Sequence, residues 1–301
     1  MLLKGALAHS KNTVAVKLTD ALGPDAVIAF ARRMGIESDL PRNLTLALGT
    51  GEVTPLELTN AYASIAANGT FLPPAFVLEV SDRDGTVLET WQPPTEIPAP
   101  RPVPALAAPA DGAAPAAPGP TQPMAAANEG APPPLEFTIP ASGTRPEVAF
   151  VLTDMLRGVV EYGTGVGAKA LERPAAAKTG TAQEHRDAWF VGYTPELVAG
   201  VWIGFDDHGP LGPRETGAGA ALPAWLAFMK GTLDGTPSRE FVAPEGVQFA
   251  RIDPATGLLA AEPQPGQAEE EPTSFLSGTA PTEAVSARPV SPPQNFFLDD
   301  R

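Results

Sequence analysis

The sequence predicts a mixed α/β (α+β) domain in which an antiparallel sheet is flanked by helices. Three β-rich runs, residues 174–181, 187–194 and 197–205, follow one another at close spacing. Thr194-Pro-Glu196 separates the last two, a turn short enough to make them an antiparallel hairpin. Upstream, Thr54-Pro-Leu-Glu57 and Thr144-Arg-Pro-Glu147 are capping-box patterns, each placed before an apolar stripe of helical period. Downstream, residues 222–233 are apolar through Trp225, Leu226 and Met229, a helix suited to cover one face of the sheet.

Taken in order, residues 24–35 carry Val27, Phe30, Ala31 and Met34 on one helical face, with Pro24 near the start and Gly35 at the end. The helix capped by Thr54 buries Leu58, Ala61, Tyr62 and Ile65 and runs to Gly69. Residues 76–81 and 86–91 form a hairpin around Asp82-Arg-Asp-Gly85, where aspartate and glycine supply the turn. Of the 36 prolines, 14 then fall within residues 92–134, which rules out a core element there and predicts a disordered, partly polyproline-II insert. The helix carrying Val148, Val151, Leu152, Met155 and Val159 ends near Gly163, and the glycines at 163, 165 and 167 form a loop at the rim of a site. The expected organisation is therefore a first part over 1–91, the insert over 92–134, a second part over 135–236 and a mostly extended acidic tail over 237–301.

A formal charge of −15 with no clustered Lys or Arg argues against nucleic acid as a partner. Without cysteine, disulfides, thiolate nucleophiles and zinc–thiolate sites are all excluded. No run approaches the roughly 18 apolar residues of a membrane span, and Met1-Leu-Leu-Lys-Gly5 lacks the apolar core of a signal peptide. Asp206-Asp207-His208 lacks a third ligand at suitable spacing, so a solvated turn is expected and no metal. His9, His185 and His208 are expected at the surface or in loops. Trp189, Phe190, Trp202 and Phe205 are expected in the core.

Chemistry concentrates at Lys178-Thr-Gly-Thr181, where one of only six lysines stands in a strand beside two hydroxyls and a glycine. Such an edge can pair with an extended peptide and hold its terminal carboxylate. It can equally be a strand in which Lys178 is a cap and Thr179 and Thr181 satisfy β-propensity. Ser10-Lys11-Asn12 offers a hydroxyl for proton relay and a carboxamide for gripping a substrate amide, and a loop or helix cap accounts for it as well.

Both motifs and their flanks resemble the transpeptidase domain of class A, bifunctional penicillin-binding proteins. The resemblance is carried by Ala6-Leu-Ala-His-Ser-Lys-Asn12, Leu46-Ala-Leu-Gly-Thr-Gly-Glu-Val-Thr-Pro-Leu-Glu57, Lys178-Thr-Gly-Thr-Ala182, Asp187-Ala-Trp-Phe-Val-Gly-Tyr-Thr-Pro195, Val201-Trp-Ile-Gly-Phe-Asp206 and Phe275-Leu-Ser-Gly-Thr-Ala-Pro-Thr-Glu283. It implies a penicillin-binding-protein/β-lactamase-like fold and an enzyme of peptidoglycan biosynthesis in the cell envelope, at the periplasmic face of the inner membrane. Its substrate would be a stem peptide ending in D-Ala-D-Ala, its inhibitors β-lactams, and it would need no cofactor. Ser10, Asn12 and Lys178 would be catalytic. Thr179, Gly180 and Thr181 would bind substrate, with the Thr181 N–H as half of an oxyanion hole.

The chain departs from the family pattern at the nucleophile: no serine among the 301 residues is followed three places on by lysine. The expectation is an N-terminally truncated, inactive fragment, since covalent catalysis then has no first step. Loss of a central helix would also leave apolar faces uncovered and stability marginal. Two competing readings are a noncovalent module that captures D-Ala-terminated peptides or a protein, and a carboxypeptidase or β-lactamase-like hydrolase. The tail phrase at 275–283 speaks against the hydrolase.

Overall fold

The computed structural model describes residues 2–92, 141–261 and 271–285, so the expected insert, apart from Gln92, lies outside the described residues. Three helices open the chain: α1 (Leu3–Ala8), α2 (Asn12–Leu22) and α3 (Pro24–Arg33). The sequence reading anticipated only the third. A 3₁₀ turn over Leu44–Leu48 follows, and then α4 (Pro55–Ala66). The α4 cap is the predicted one: the Glu57 N–H donates to Thr54 Oγ1 while Glu57 Oε2 accepts from the Thr54 N–H.

Strands β1 (Glu79–Ser81) and β2 (Val87–Thr90) pair antiparallel as the anticipated hairpin. Asp82 Oδ1 closes its turn by accepting from the Asp84 and Thr86 N–H groups. Helix α5 (Pro146–Glu161) is where expected, but its cap is not. Pro146 occupies the first helical position and pushes Arg145 into extended backbone, so Arg145 is the N-cap and makes no side-chain cap bond. Thr144 instead donates its N–H to the Gly69 carbonyl, and Glu147 pairs with Arg145.

A 3₁₀ segment over Val166–Leu171 leads into β3 (Ala176–Thr181), β4 (Asp187–Tyr193) and β5 (Val198–Gly204). They form one antiparallel sheet in the order β3-β4-β5. Helix α6 (Leu222–Leu233) covers one face. Its Trp225 is fully buried against Phe190, ring centroids 5.0 Å apart, and donates its indole N–H to the carbonyls of Gly192 and Ala199. The other face packs on α5, α4 and α3 through Ala176, Tyr193, Val159, Leu156, Ile65 and Met34. Because β3 passes between two cores, Ala176 and Ala177 are both fully buried, and alanine is what that spacing admits.

The region expected to be an extended tail holds β6 (Val247–Ala250) and β7 (Thr273–Leu276), paired antiparallel. It is docked on α5. Asp154 Oδ2 accepts from both the N–H and the hydroxyl of Ser274, while its Oδ1 receives Lys4 Nζ at 3.0 Å. One buried carboxylate on α5 thus ties α1 to β7.

The aromatic expectation needs correcting at two of four positions. Phe190 is fully buried, but Trp202 is 39% and Phe205 52% exposed. Trp202 is on the edge strand β5, and its ring tilts over Trp189 while its N–H donates to Asp187 Oδ1 at 2.8 Å. Periodicity marked the alternation of these residues without revealing that Trp202, paired with Trp189, lies on the sheet face opposite α6 and that Phe205 falls past the end of β5.

Candidate active site

The site forms where the α1–α2 turn, the segment after α5 and the free edge of β3 meet. Helix α1 ends in a Schellman closure: the Lys11 N–H donates to the Ala6 carbonyl at 2.9 Å and the Ser10 N–H to the Leu7 carbonyl at 3.1 Å. That geometry holds Ser10 in the left-handed region, φ 51°. Glycine adopts this conformation freely, and a side chain there costs on the order of 1 kcal/mol.

Alternation along β3 puts Lys178 on the same face as Ala176, toward α5 and the α1–α2 turn. Lys178 Nζ donates to Ser10 Oγ at 3.0 Å and to the Thr179 carbonyl at 2.8 Å. Among the described residues no carboxylate pairs with this ammonium. Burial pulls its pKa down from 10.5 to about 8, because the charged form loses hydration without gaining a counter-ion. The result is a cation held by neutral partners, ready for an anion. Near neutral pH a minor fraction is the free amine, able to take a proton through the Ser10 hydroxyl.

The ladder decides which backbone groups face outward. The Ala182 N–H donates to the Asp187 carbonyl at 3.0 Å, next to the Thr181–Ala188 pair. Hydrogen bonds to β4 therefore fall on residues 182, 180, 178 and 176, and the N–H and C=O groups of Thr179 and Thr181 turn to the free edge. The Thr181 hydroxyl accepts from the Gly217 N–H at 3.1 Å. Gly217 has no substitute: a Cβ there would lie 2.3 Å from the Trp189 carbonyl oxygen and 2.6 Å from that of Gly180.

Two site residues, Gly217 and Thr164, were given no role by the sequence alone. Thr164, in the glycine-rich loop assigned only to the rim, bonds through its hydroxyl to Thr179 Oγ1 at 2.6 Å. Its N–H also donates to the Ala8 carbonyl at 3.0 Å. Gly163 permits that approach, since a Cβ there would stand 2.3 Å from the same carbonyl oxygen. The spacing Gly-Thr-Gly was the available signal, but nothing local says which segment it meets. Of the predicted residues, Ser10 and Lys178 are in direct contact across 168 positions, and Thr179, Gly180 and Thr181 continue the same strand. Asn12 lies exposed at the start of α2, two residues after Ser10, and among the described residues no side-chain contact joins it to this group. Ser10 and Asn12 do not act as caps: the N-cap of α2 is Lys11, with no side-chain bond. The His9 ring lies 6.1 Å from that of Tyr162, and Asp207 closes a turn by accepting from the Gly209 N–H.

An antiparallel sheet between two helical layers, with a lysine-bearing edge strand facing a serine-bearing turn, is the architecture of the penicillin-recognising acyltransferases. The family model described as the penicillin binding protein transpeptidase domain matches residues 1–102 and 139–204, and the chain belongs to that family. It is 36% identical over 317 residues to penicillin-binding protein 1A of Pseudomonas aeruginosa, covering 99% of this chain and 37% of that protein. With penicillin-binding protein 1A of Aquifex aeolicus it shares 35% identity over 279 residues, covering 93% of this chain and 32% of the relative. Among solved structures, penicillin-binding protein 1A from Haemophilus influenzae superposes with a TM-score of 0.72 at 26% identity, over 95% of this chain and 41% of that one. PonA1 from Mycobacterium tuberculosis in complex with penicillin V gives 0.58 at 26% identity, over 80% of this chain and 58% of its own. The chain spans about a third of the length of these curated relatives. Among the described residues no helix is long and apolar enough to cross a membrane.

Proposed function

We propose that this chain supplies the substrate-recognising side of a peptidoglycan-cross-linking D-Ala-D-Ala transpeptidase, acting in the cell envelope at the periplasmic face of the inner membrane. The attacking serine of its acyl-enzyme mechanism lies outside these 301 residues. The observation that carries the reading is the 3.0 Å contact between Lys178 Nζ and Ser10 Oγ. It joins a relay hydroxyl and a partly neutral amine beside a strand edge whose outward N–H and C=O groups can receive an extended peptide.

In this reading the donor stem peptide adds along the free edge of β3, and its terminal carboxylate meets the Lys178 ammonium and the Thr179 and Thr181 hydroxyls. Gly180 leaves room for the peptide backbone, and the Asn12 carboxamide holds a substrate amide. The serine gives its proton to the lysine of its Ser-x-x-Lys motif as its oxygen attacks the penultimate D-Ala carbonyl, and that proton is the one passed on through Ser10. The Thr181 N–H and the serine's own N–H stabilise the oxyanion, donors commonly worth about 3–4 kcal/mol each. The C–N bond breaks, and Ser10 passes a proton to the departing D-alanine nitrogen. An amine of a second stem peptide then takes the acyl group and frees the serine. β-Lactams, which carry a comparable carboxylate beside a strained amide, would stop at the acyl-serine.

Fluorescent penicillin tests the reading. No covalent band is expected on the 301-residue chain alone, and a band is expected once a transpeptidase segment bearing Ser-x-x-Lys is joined ahead of it. Label on the chain alone would defeat the external-nucleophile reading. A joined polypeptide that folds and stays unlabelled would defeat the acyltransferase reading.

A further inference from the structure

Thr164 stands where two halves of the site meet, and nothing in the mechanism above uses it. Its backbone N–H holds the Ala8 carbonyl at 3.0 Å, in the last turn of α1 and two residues before Ser10. Its hydroxyl lies 2.6 Å from Thr179 Oγ1, on the strand that carries Lys178. One residue therefore fixes the distance between the Ser10 turn and the Lys178 strand and also contacts a hydroxyl at the anion-facing edge. The fixed spacing is enforced sterically, since Gly163 brings the loop against Ala8 at a separation no side chain would allow.

We propose that Thr164 is a positioning residue for carboxylate recognition, donating its hydroxyl proton to Thr179 Oγ1 so that the Thr179 O–H is left to point at the ligand anion. A hydroxyl has one proton and two acceptor positions. If the Thr179 proton were spent on Thr164, only lone pairs would face an incoming carboxylate, which would repel it. With Thr164 as donor, the Thr179 oxygen is satisfied from behind and its proton is directed forward, a polarised pair of the kind that strengthens a charge-assisted bond. The Thr164 N–H, bonded to Ala8, holds the backbone so that the side chain stays in register with Thr179. This inference rests on the transpeptidase reading of the site and specifies how that site tells a carboxylate from its neutral isostere.

The test compares N-acetyl-D-Ala-D-Ala with its C-terminal carboxamide, titrated by NMR chemical-shift change into the 301-residue chain and its variants, with thermal melting as the fold control. The wild type is expected to prefer the carboxylate at least tenfold. Thr164→Val should lower that preference several-fold while carboxamide affinity stays constant, as loss of one charge-assisted bond implies, with the Lys178 ammonium keeping the remainder, and Thr164→Ser should restore it. In a Thr179→Val background, Thr164→Val should have no further effect. If Thr164→Val does not fold, Thr164→Ala makes the same comparison. An unchanged carboxylate preference overturns the inference, as does equal loss of both ligands, which would mark Thr164 as purely structural. A wild type that binds neither ligand, or binds both alike, defeats the parent reading of the site instead.

Discussion

Raising the pH from 7 to 9 should weaken carboxylate binding about tenfold, and the size of that loss reports directly on the burial of Lys178. With its pKa near 8, the ammonium is about 90% protonated at pH 7 and about 10% at pH 9. An ordinary lysine, titrating at 10.5, would lose only about 3% of its charge over the same interval. The ligand carboxylate is ionised throughout, so the affinity of N-acetyl-D-Ala-D-Ala follows the protonated fraction. At about 4 Å and an effective dielectric near 20, the carboxylate attracts the ammonium by roughly 4 kcal/mol before desolvation, which restores the proton in the complex. Binding at pH 8 should therefore take up about half a proton, measurable as a dependence of the calorimetric heat on buffer ionisation enthalpy. For the free chain, the folded pKa lies below the unfolded one, so the folded state holds fewer protons between about 8 and 10.5. Its stability consequently rises with pH through that window. An affinity that stays flat from pH 7 to 9, with no proton uptake, would refute the claim that the amine is desolvated in an anion site.

Ser10→Gly and Ser10→Ala both delete the hydroxyl, but only alanine keeps a Cβ at φ 51°. The glycine variant should be the more stable of the two by about 1 kcal/mol in urea unfolding, and equal stabilities would contradict the strain assigned to this turn. Asp154→Ala leaves the Lys4 ammonium buried, 12% exposed, without its partner and removes the acceptor for both Ser274 donors. It should cost about 3 kcal/mol or more, with hydrogen exchange rising first in β7. Burial alone would raise the Glu57 pKa, but the Ser38 hydroxyl and the N–H groups of Thr54, Glu37 and Ser38 outweigh it and hold the carboxyl at about 2. Its contribution to stability is therefore complete above about 4.5 and lost as pH falls toward 2. Glu57→Gln should flatten the acid limb of a stability–pH curve, and an unaltered limb would show that this cap does not govern it.

Much of the fold was legible because the signals are local. Thr54 and Glu57 satisfy each other's backbone within one turn, and α6 is marked by an uninterrupted apolar run, so both elements fall where sequence places them. Helices α1 and α2 were missed because their sequences are unremarkable and what stabilises them is contact: α1 packs along α5 and is held there by Lys4 and Asp154. The Arg145 cap was misread for a different reason, since a proline at the first helical position outranks a threonine one place too early.

The sequence by itself determined which chemistry the chain can carry, because hydroxyl, carboxamide and ammonium are properties of Ser10, Asn12 and Lys178 whatever surrounds them. Only the tertiary structure decided that Ser10 and Lys178 meet. A hydrogen bond across 168 residues, a lysine that loses water without finding a carboxylate among the described residues, and a threonine that braces two segments are consequences of packing and burial. Burial depends on how helices and sheet close over one another, and no spacing along the chain encodes it.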